Sequence, residues 1–339
     1  MLTNNLQIPF GMGLNVTSYI NSPNPVYSVG GIIAFAIIVA IIISIFGYIF
    51  GWLERKMIAK VQHRHGPTYV GKFGILQNFA DLVKLLAKED IIPDSAERTL
   101  YIIGLPLLVS VSIFLVLLLP FAPSLQATNF AFGILIIFVL LSFTPILLFI
   151  TAFSTSNKFA DISAQRSVLI LLSYELPMIL AVAAVGIAAH GYNIASIISA
   201  QRNGIFAIFM PLGLAVLFIT MLAELERPPF DLREADSELI AGWLTDMSAP
   251  YYALSLFLDY SRMLLGSLLI TILFFGGWEG PLLPPIVWLL AKASVISIFI
   301  IIIRATTVRM RIDGILKFGW KWLLPLSLIN LVIAYIIFA

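Results

Sequence analysis

The chain has 339 residues, of which 60% are apolar and 11% charged, with a mean hydropathy of +1.02. Soluble domains carry about 25% charged residues, so this composition cannot cover a water-facing surface and implies an integral membrane protein. A net charge of +2 gives no reason to expect nucleic-acid binding, and the lack of Cys excludes disulfides, thiolate metal sites and cysteine-ligated clusters within the chain.

A spanning helix needs about 20 mostly apolar residues, and eight runs qualify: 29–53, 100–120, 130–154, 168–189, 205–223, 253–276, 284–303 and 320–338. The first is expected to be retained rather than cleaved as a signal, because no Lys or Arg precedes it and its apolar run exceeds a signal core. Basic residues gather in short cytoplasmic loops. Residues 1–27, 121–129 and 277–283 and the C-terminus lack them, and 190–204 has only Arg202, so these segments are expected outside. The loops at about 54–99, 155–167, 224–252 and 304–319 are then cytoplasmic. The expectation is an all-α protein with eight spans, both termini on the outer side and one membrane domain over 1–339. No segment between spans is long enough to fold alone.

After the first span, Glu54 to Val61 reads as amphipathic, Gly66-Pro67 and Gly71 mark turns, and Leu76, Phe79, Leu82, Val83 and Leu86 recur at helical spacing. Asp81, Lys84 and Lys88 occupy the other side, as in a helix lying in the membrane interface. His63 and His65 do not make a metal set, and no metal site is expected. Farther on, Glu175 lies in the span beside Pro177, without an obvious partner; acids at such depth mark proton or ion paths. Asp259 and Arg262 are i, i+3 neighbours that are expected to neutralise each other. Lys292 is a candidate partner across helices for Glu175 or for the acids that follow the fifth run.

Those acids are the most unusual stretch. Glu224, Glu226, Asp231, Glu234, Asp236 and Glu238 place six of the chain's 18 carboxylates around Pro228-Pro229, with only Arg227 and Arg233 between them. Crowded carboxylates repel, so some are expected to retain protons near neutral pH and to suit proton transfer or a charge-sensing switch. Phosphate-binding glycine loops and nucleophile elbows are absent from the sequence.

Several motifs occur in a fixed order: Glu54-Arg55-Lys56; Arg64 to Gln77 with Gly66-Pro67, Gly71 and Gly74; Ala80-Asp81-Leu-Val-Lys84; Lys88 to Pro93; Ser173-Tyr174-Glu175; Glu224 to Glu238; and Arg304-Ala-Thr306 with Arg309-Met-Arg311-Ile-Asp313. In this the chain resembles the quinone-site membrane subunit of respiratory complex I, the NADH:quinone oxidoreductase type found in bacteria and mitochondria. The resemblance implies a quinone cavity shared with a soluble arm, whose last iron–sulfur cluster reduces the headgroup. It implies that quinone is the substrate, that clusters lie only in partner subunits, and that soluble-arm and other membrane-arm subunits are the partners.

By the same resemblance Glu54, Arg55, Arg64 and Asp81 line or gate the tunnel. Glu175, Glu224, Asp231, Glu234 and Glu238 lie on the acidic path, with Glu226 and Asp236 in the same stretch. Lys84, Arg227, Arg304, Arg309 and Arg311 form the basic cytoplasmic face. Ile170, Asp236, Asp259 and Thr68-Tyr69 depart from the commoner family residues. The related alternative is the equivalent subunit of a membrane-bound hydrogenase or ferredoxin-driven pump, without quinone. A passive scaffold and an independent transporter are the readings outside the family. The implied location is a plasma membrane, with an organelle inner membrane or thylakoid as the alternative.

Overall fold

The computed structural model describes residues 25–123, 125–126, 130–233, 236–281 and 283–338, and every regular element among them is helical. In chain order they are α1 (Pro25–Val61), α2 (Gln77–Leu86), α3 (Arg98–Leu118), α4 (Gly133–Phe153), α5 (Lys158–Ala188), α6 (Ile194–Ala200), α7 (Phe206–Phe209), α8 (Pro211–Glu224), α9 (Asp236–Leu239), α10 (Ala249–Phe274), α11 (Pro285–Thr306), α12 (Ile312–Phe318) and α13 (Leu324–Phe338). Among the described residues, seven helical segments are long and apolar enough to cross a membrane, with α12 and α13 counted as one through the π-helical turn Gly319–Leu323. The eighth apolar run is shorter than its sequence suggests.

That run, read as continuous over 205–223, is broken at Met210. Pro211 has no N–H to give the preceding turn, Met210 leaves the helical region (φ −129°, ψ 60°), and α7 and α8 result. Other boundaries move outward. Asn157 caps α5 by accepting from the Phe159 N–H at 2.9 Å, so the expected 155–167 loop is mostly helix. The first span likewise continues without a break through Glu54 and Arg55 to Val61.

Two helices organise the bundle. α5 packs against α4, α8, α12 and α13, and its buried face is rich in small residues such as Ala160, Ser163, Ala164, Ser167, Ala181 and Ala184. Small side chains let membrane helices approach closely where water supplies no driving force. α10 packs against α1, α2, α3 and α11, and every residue from Ser261 to Phe274 is buried. A helix apolar on all sides belongs in such a core. Ser112 of α3 and Ser261 of α10 share a buried hydroxyl bond of 2.5 Å that ties the two helices in register.

α2 is the short amphipathic helix that the spacing predicts. It leaves Phe79, Leu82, Val83 and Leu86 exposed and rests on α1 and α10. The Asn78 amide donates to the Tyr48 carbonyl at 2.9 Å, while Tyr48 and Trp52 of α1 donate to the carbonyls of Ile75 and Phe73.

Candidate functional site

Glu54 lies at the charged end of α1 and is only 2% exposed. A bare carboxylate at that burial would be costly, and its surroundings explain why it is tolerated. Arg227, from the turn after α8, donates to it at 2.5 Å; Arg304, near the end of α11, donates to the same oxygen; and the Tyr260 hydroxyl of α10 donates to the other at 3.0 Å. The Arg227 guanidinium also lies 5.8 Å from the Tyr260 ring centroid.

A second row runs alongside. Tyr174 of α5 donates to Glu224 at 2.6 Å, and Arg262 of α10 reaches the Glu224 carboxylate at 3.3 Å and its backbone carbonyl at 2.5 Å. Arg262 lies 3.7 Å from Glu226, Glu226 pairs with Arg233 at 2.7 Å, and Arg233 donates to Asp259 at 3.0 Å. Carboxylate and guanidinium thus alternate from Glu224 to Asp259. The expected Asp259–Arg262 pair does not form. Although the two residues share a helix, each turns to a partner from the 224–233 segment.

The position of Arg233 has a local cause. Ser163 of α5 donates to the Arg233 carbonyl at 2.7 Å and accepts from the Trp243 N–H at 3.2 Å. Gly242 has φ +58°, and a Cβ there would meet the Arg233 carbonyl oxygen at 1.9 Å, so only glycine allows this close approach. The Arg233 guanidinium then stacks over Trp243 at 5.2 Å.

These groups border a cavity of about 220 Å³ whose lining includes Glu54, Glu226, Asp231, Arg233, Asp259 and Arg304. Next to it a chamber of about 340 Å³ lies between α1, α2 and α10, lined by Gly47, Tyr48, Gly51, Leu82, Leu85 and Phe257 among others. Arg55, Leu256 and Tyr260 line both. Gly51 keeps this chamber's wall thin, since a Cβ there would approach Asn78 Nδ2 to 2.8 Å and the Tyr260 hydroxyl to 3.2 Å. At the chamber's rim, Asp81 accepts from Arg55 at 2.5 Å and from Gln77 at 2.9 Å. Partial burial pushes the Asp81 carboxyl up, but these hydrogen bonds with the Arg55 and Lys84 charges outweigh it and hold it below the usual aspartate value.

The structure therefore brings together Glu54, Arg55, Asp81, Glu224, Glu226, Asp231, Arg227 and Arg304. It adds Arg233, which the sequence shows only as a charge among the acids, and Tyr174, Asp259, Tyr260 and Arg262, which the sequence does not place in this cluster. Charge clustering is the wrong signal for the tyrosines, and the arginines are dispersed in sequence. To the expected crowding of carboxylates the structure adds interleaved arginines, Arg233 from the loop and Arg262 from α10 among the acids that follow α8, and Arg304 from α11 on Glu54. Other candidates stand apart. Arg64 is exposed and hydrogen-bonds Gln62 at 2.7 Å, and Lys84 and Arg311 are exposed. Arg309 lies 3.9 Å from Asp231, and exposed Glu238 pairs with Arg166 at 2.5 Å, whose hydrogen bond and charge hold its carboxyl below the usual range. Glu234 lies outside the described residues, as does the side chain of Asp236.

Glu175 is half-buried on α5 and has no hydrogen bond or ion pair among the described residues. Lys292 reaches neither Glu175 nor the acidic segment. Its ammonium donates to the carbonyls of Phe275 at 2.8 Å, Gly277 at 3.0 Å and Glu279 at 2.6 Å, at the opposite end of α10.

Residues 33–335 match the sequence model of the NADH dehydrogenase family. The chain is 40% identical over 303 residues to the NADH-quinone oxidoreductase H subunit of Dehalococcoides mccartyi strain CBDB1, covering 89% of this chain and 85% of that protein. It is 34% identical over 311 residues to the second NADH-quinone oxidoreductase H subunit of Syntrophobacter fumaroxidans, covering 89% and 94%. It is also 37% identical over 300 residues to the F(420)H(2) dehydrogenase H subunit of Methanosarcina mazei, covering 83% and 85%.

Proposed function

The chain belongs to the NADH dehydrogenase family and is a membrane subunit of the complex I type, and from that premise we propose that it forms the membrane half of a quinone site and couples quinone reduction to proton translocation. α8 serves as the eighth span, with α7 completing its outer end. The termini lie outside, and the loops bearing Arg55 to Arg98 and Arg304 to Lys321 face the cytoplasm of a plasma membrane, as the distribution of basic residues favours.

The observation that carries this reading is the junction of two unlike chambers at Arg55 and Tyr260. An isoprenoid quinone is an apolar tail with a polar head, and the chamber between α1, α2 and α10 suits the first while the charge-lined cavity suits the second. Electrons arrive from an iron–sulfur cluster of the soluble arm, and reduction of quinone to quinol takes up two electrons and two protons. In a low-dielectric setting, charge developing on the headgroup shifts proton occupancy along neighbouring coupled acids. The row from Asp259 through Glu226 to Glu224 and Tyr174 is the path along which that shift passes, and Glu175 hands it to an adjacent membrane subunit. The arginines fix the carboxylates in place and set how strongly a proton at one is felt at the next.

A relative named for F(420)H(2) shows that electron donors differ within this family, so the donor is the part of the reading to be tested separately. The decisive experiment is quinone reductase activity of the assembled complex with a soluble quinone, for the native chain, Asp81→Asn and Glu224→Gln at equal assembly. Activity that falls in both variants is the expected result. A complex that reduces no quinone but evolves hydrogen or oxidises ferredoxin would replace the quinone reading with the ion-pump one, and unchanged turnover in both variants would leave a scaffold.

A further inference from the structure

A groove of about 730 Å³ opens between α8 and α11, with Ile270 of α10 and Phe275 just beyond its end in the lining. Its walls are almost wholly hydrocarbon: Leu214, Phe218 and Leu222 from α8, Val295 and Phe299 from α11, and Phe318 from α12. The groove runs along α8 from Pro211 to Leu222. Fourteen residues make a helix about 21 Å long, short of the roughly 30 Å hydrocarbon thickness.

The two ends differ. Pro211 and Phe275 line one end, next to the turn that Lys292 holds. Thr307 and Met310 line the other, where the basic segment lies. Arg311 directly follows Met310, is exposed, and has no carboxylate partner among the described residues; Lys317 is exposed one residue before Phe318. The acids nearby are Asp313, which is exposed, and Asp231, which lies 3.9 Å from Arg309.

We propose that this groove holds the acyl chains of an anionic phospholipid whose phosphate rests on Arg311 and Lys317. The apolar walls match hydrocarbon, and the cations at the other end are already engaged, Lys292 by three backbone carbonyls and Arg202 by Glu279, which leaves Arg311 and Lys317 for the phosphate that cations at a membrane surface attract. A transmembrane helix of another subunit fits less well. Helix–helix contacts in membranes favour small residues that let backbones approach, and this groove is lined by phenylalanines and branched aliphatics.

The test is native mass spectrometry of the intact complex, stripped with detergent and then supplied with dioleoyl-phosphatidylglycerol or dioleoyl-phosphatidylcholine. Val295→Trp fills the groove from its exposed rim, Ile41→Trp places the same side chain on the exposed side of α1, and Arg311→Gln removes one cation. The expected result is at least one tightly retained phosphatidylglycerol that is lost in Val295→Trp and kept in Ile41→Trp. Its preference over phosphatidylcholine should fall about fivefold in Arg311→Gln, the effect of one basic residue at a membrane surface. Equal retention in the two Trp variants, no preference for the anionic lipid, or a photo-crosslinker at Phe299 that captures a neighbouring polypeptide instead of lipid would each overturn the proposal.

Discussion

Glu54 and Lys292 both carry an ionisable group on a membrane-spanning helix, and the molecule satisfies them in opposite ways. Glu54 is surrounded by groups that themselves bear charge or a transferable proton: Arg227, Arg304 and Tyr260. Lys292 is held by three backbone carbonyls, with the Trp288 ring 5.9 Å away. A site built from side chains can redistribute charge when a neighbour changes state, whereas one built from backbone dipoles is fixed. The first arrangement suits coupling, and the second suits a latch on the turn at Gly276-Gly277.

Breaking the first site should have the largest effect. Glu54→Gln leaves Arg227 and Arg304 facing each other without their shared carboxylate, and removing one partner of a buried ion pair destabilises by about 3–5 kcal/mol. Assembled complex should become scarce, and the remainder should lose most of its turnover, read as quinone reduction per complex. Restoring yield and turnover with Glu54→Asp would sharpen the point that charge matters there.

Lys292→Met should be the next largest. Of the three carbonyls that lose their donor, those of half-buried Phe275 and Glu279 can turn to water and that of buried Gly277 cannot, a cost of about 1–3 kcal/mol, so the thermal midpoint should fall. Turnover of the complex that does assemble should stay near native, because a latch takes no part in coupling. A turnover loss as large as that of Glu54→Gln would erase the distinction between the two sites.

Gly51→Val probes the chamber beside Glu54. The added side chain meets Asn78 and Tyr260, so the KM for quinone should rise several-fold while yield changes less. The smallest effect concerns the Arg55–Asp81 pair at the rim. Asp81 has a lowered pKa when folded, so the stabilisation from its charged form is complete above the unfolded aspartate value and is lost as pH falls through the folded one. Docking of α2, followed by hydrogen exchange at residues 77–86, should not vary around neutral pH and should loosen only under acid, with the loosening absent in Asp81→Asn.

What the sequence contained and what it lacked can be traced through particular residues. α2 was legible because amphipathic spacing is a local property, and the end of α1 was legible as a charged amphipathic extension. The break at Met210 was not, although Pro211 lies in plain view. A proline inside a hydrophobic run can also be carried within an unbroken helix, as Pro106, Pro145 and Pro177 are here. The acidic segment stood out by composition, but the arginines that interleave with it, Arg233 and Arg262, could not be placed among the acids from spacing alone.

By itself the sequence determined the solvent, because so few charges cannot face water. It also determined the helical class, the apolar runs, the acidic stretch after α8 and the family, through motifs kept in order. Tertiary structure alone decided which charges meet. Asp259 and Arg262 are three positions apart, yet each pairs with the 224–233 segment, because that segment brings Arg233 to the one and Glu224 and Glu226 to the other. Spacing along a helix fixes only the face from which a side chain leaves. The partner it meets depends on which helices pack there, and local sequence does not encode that.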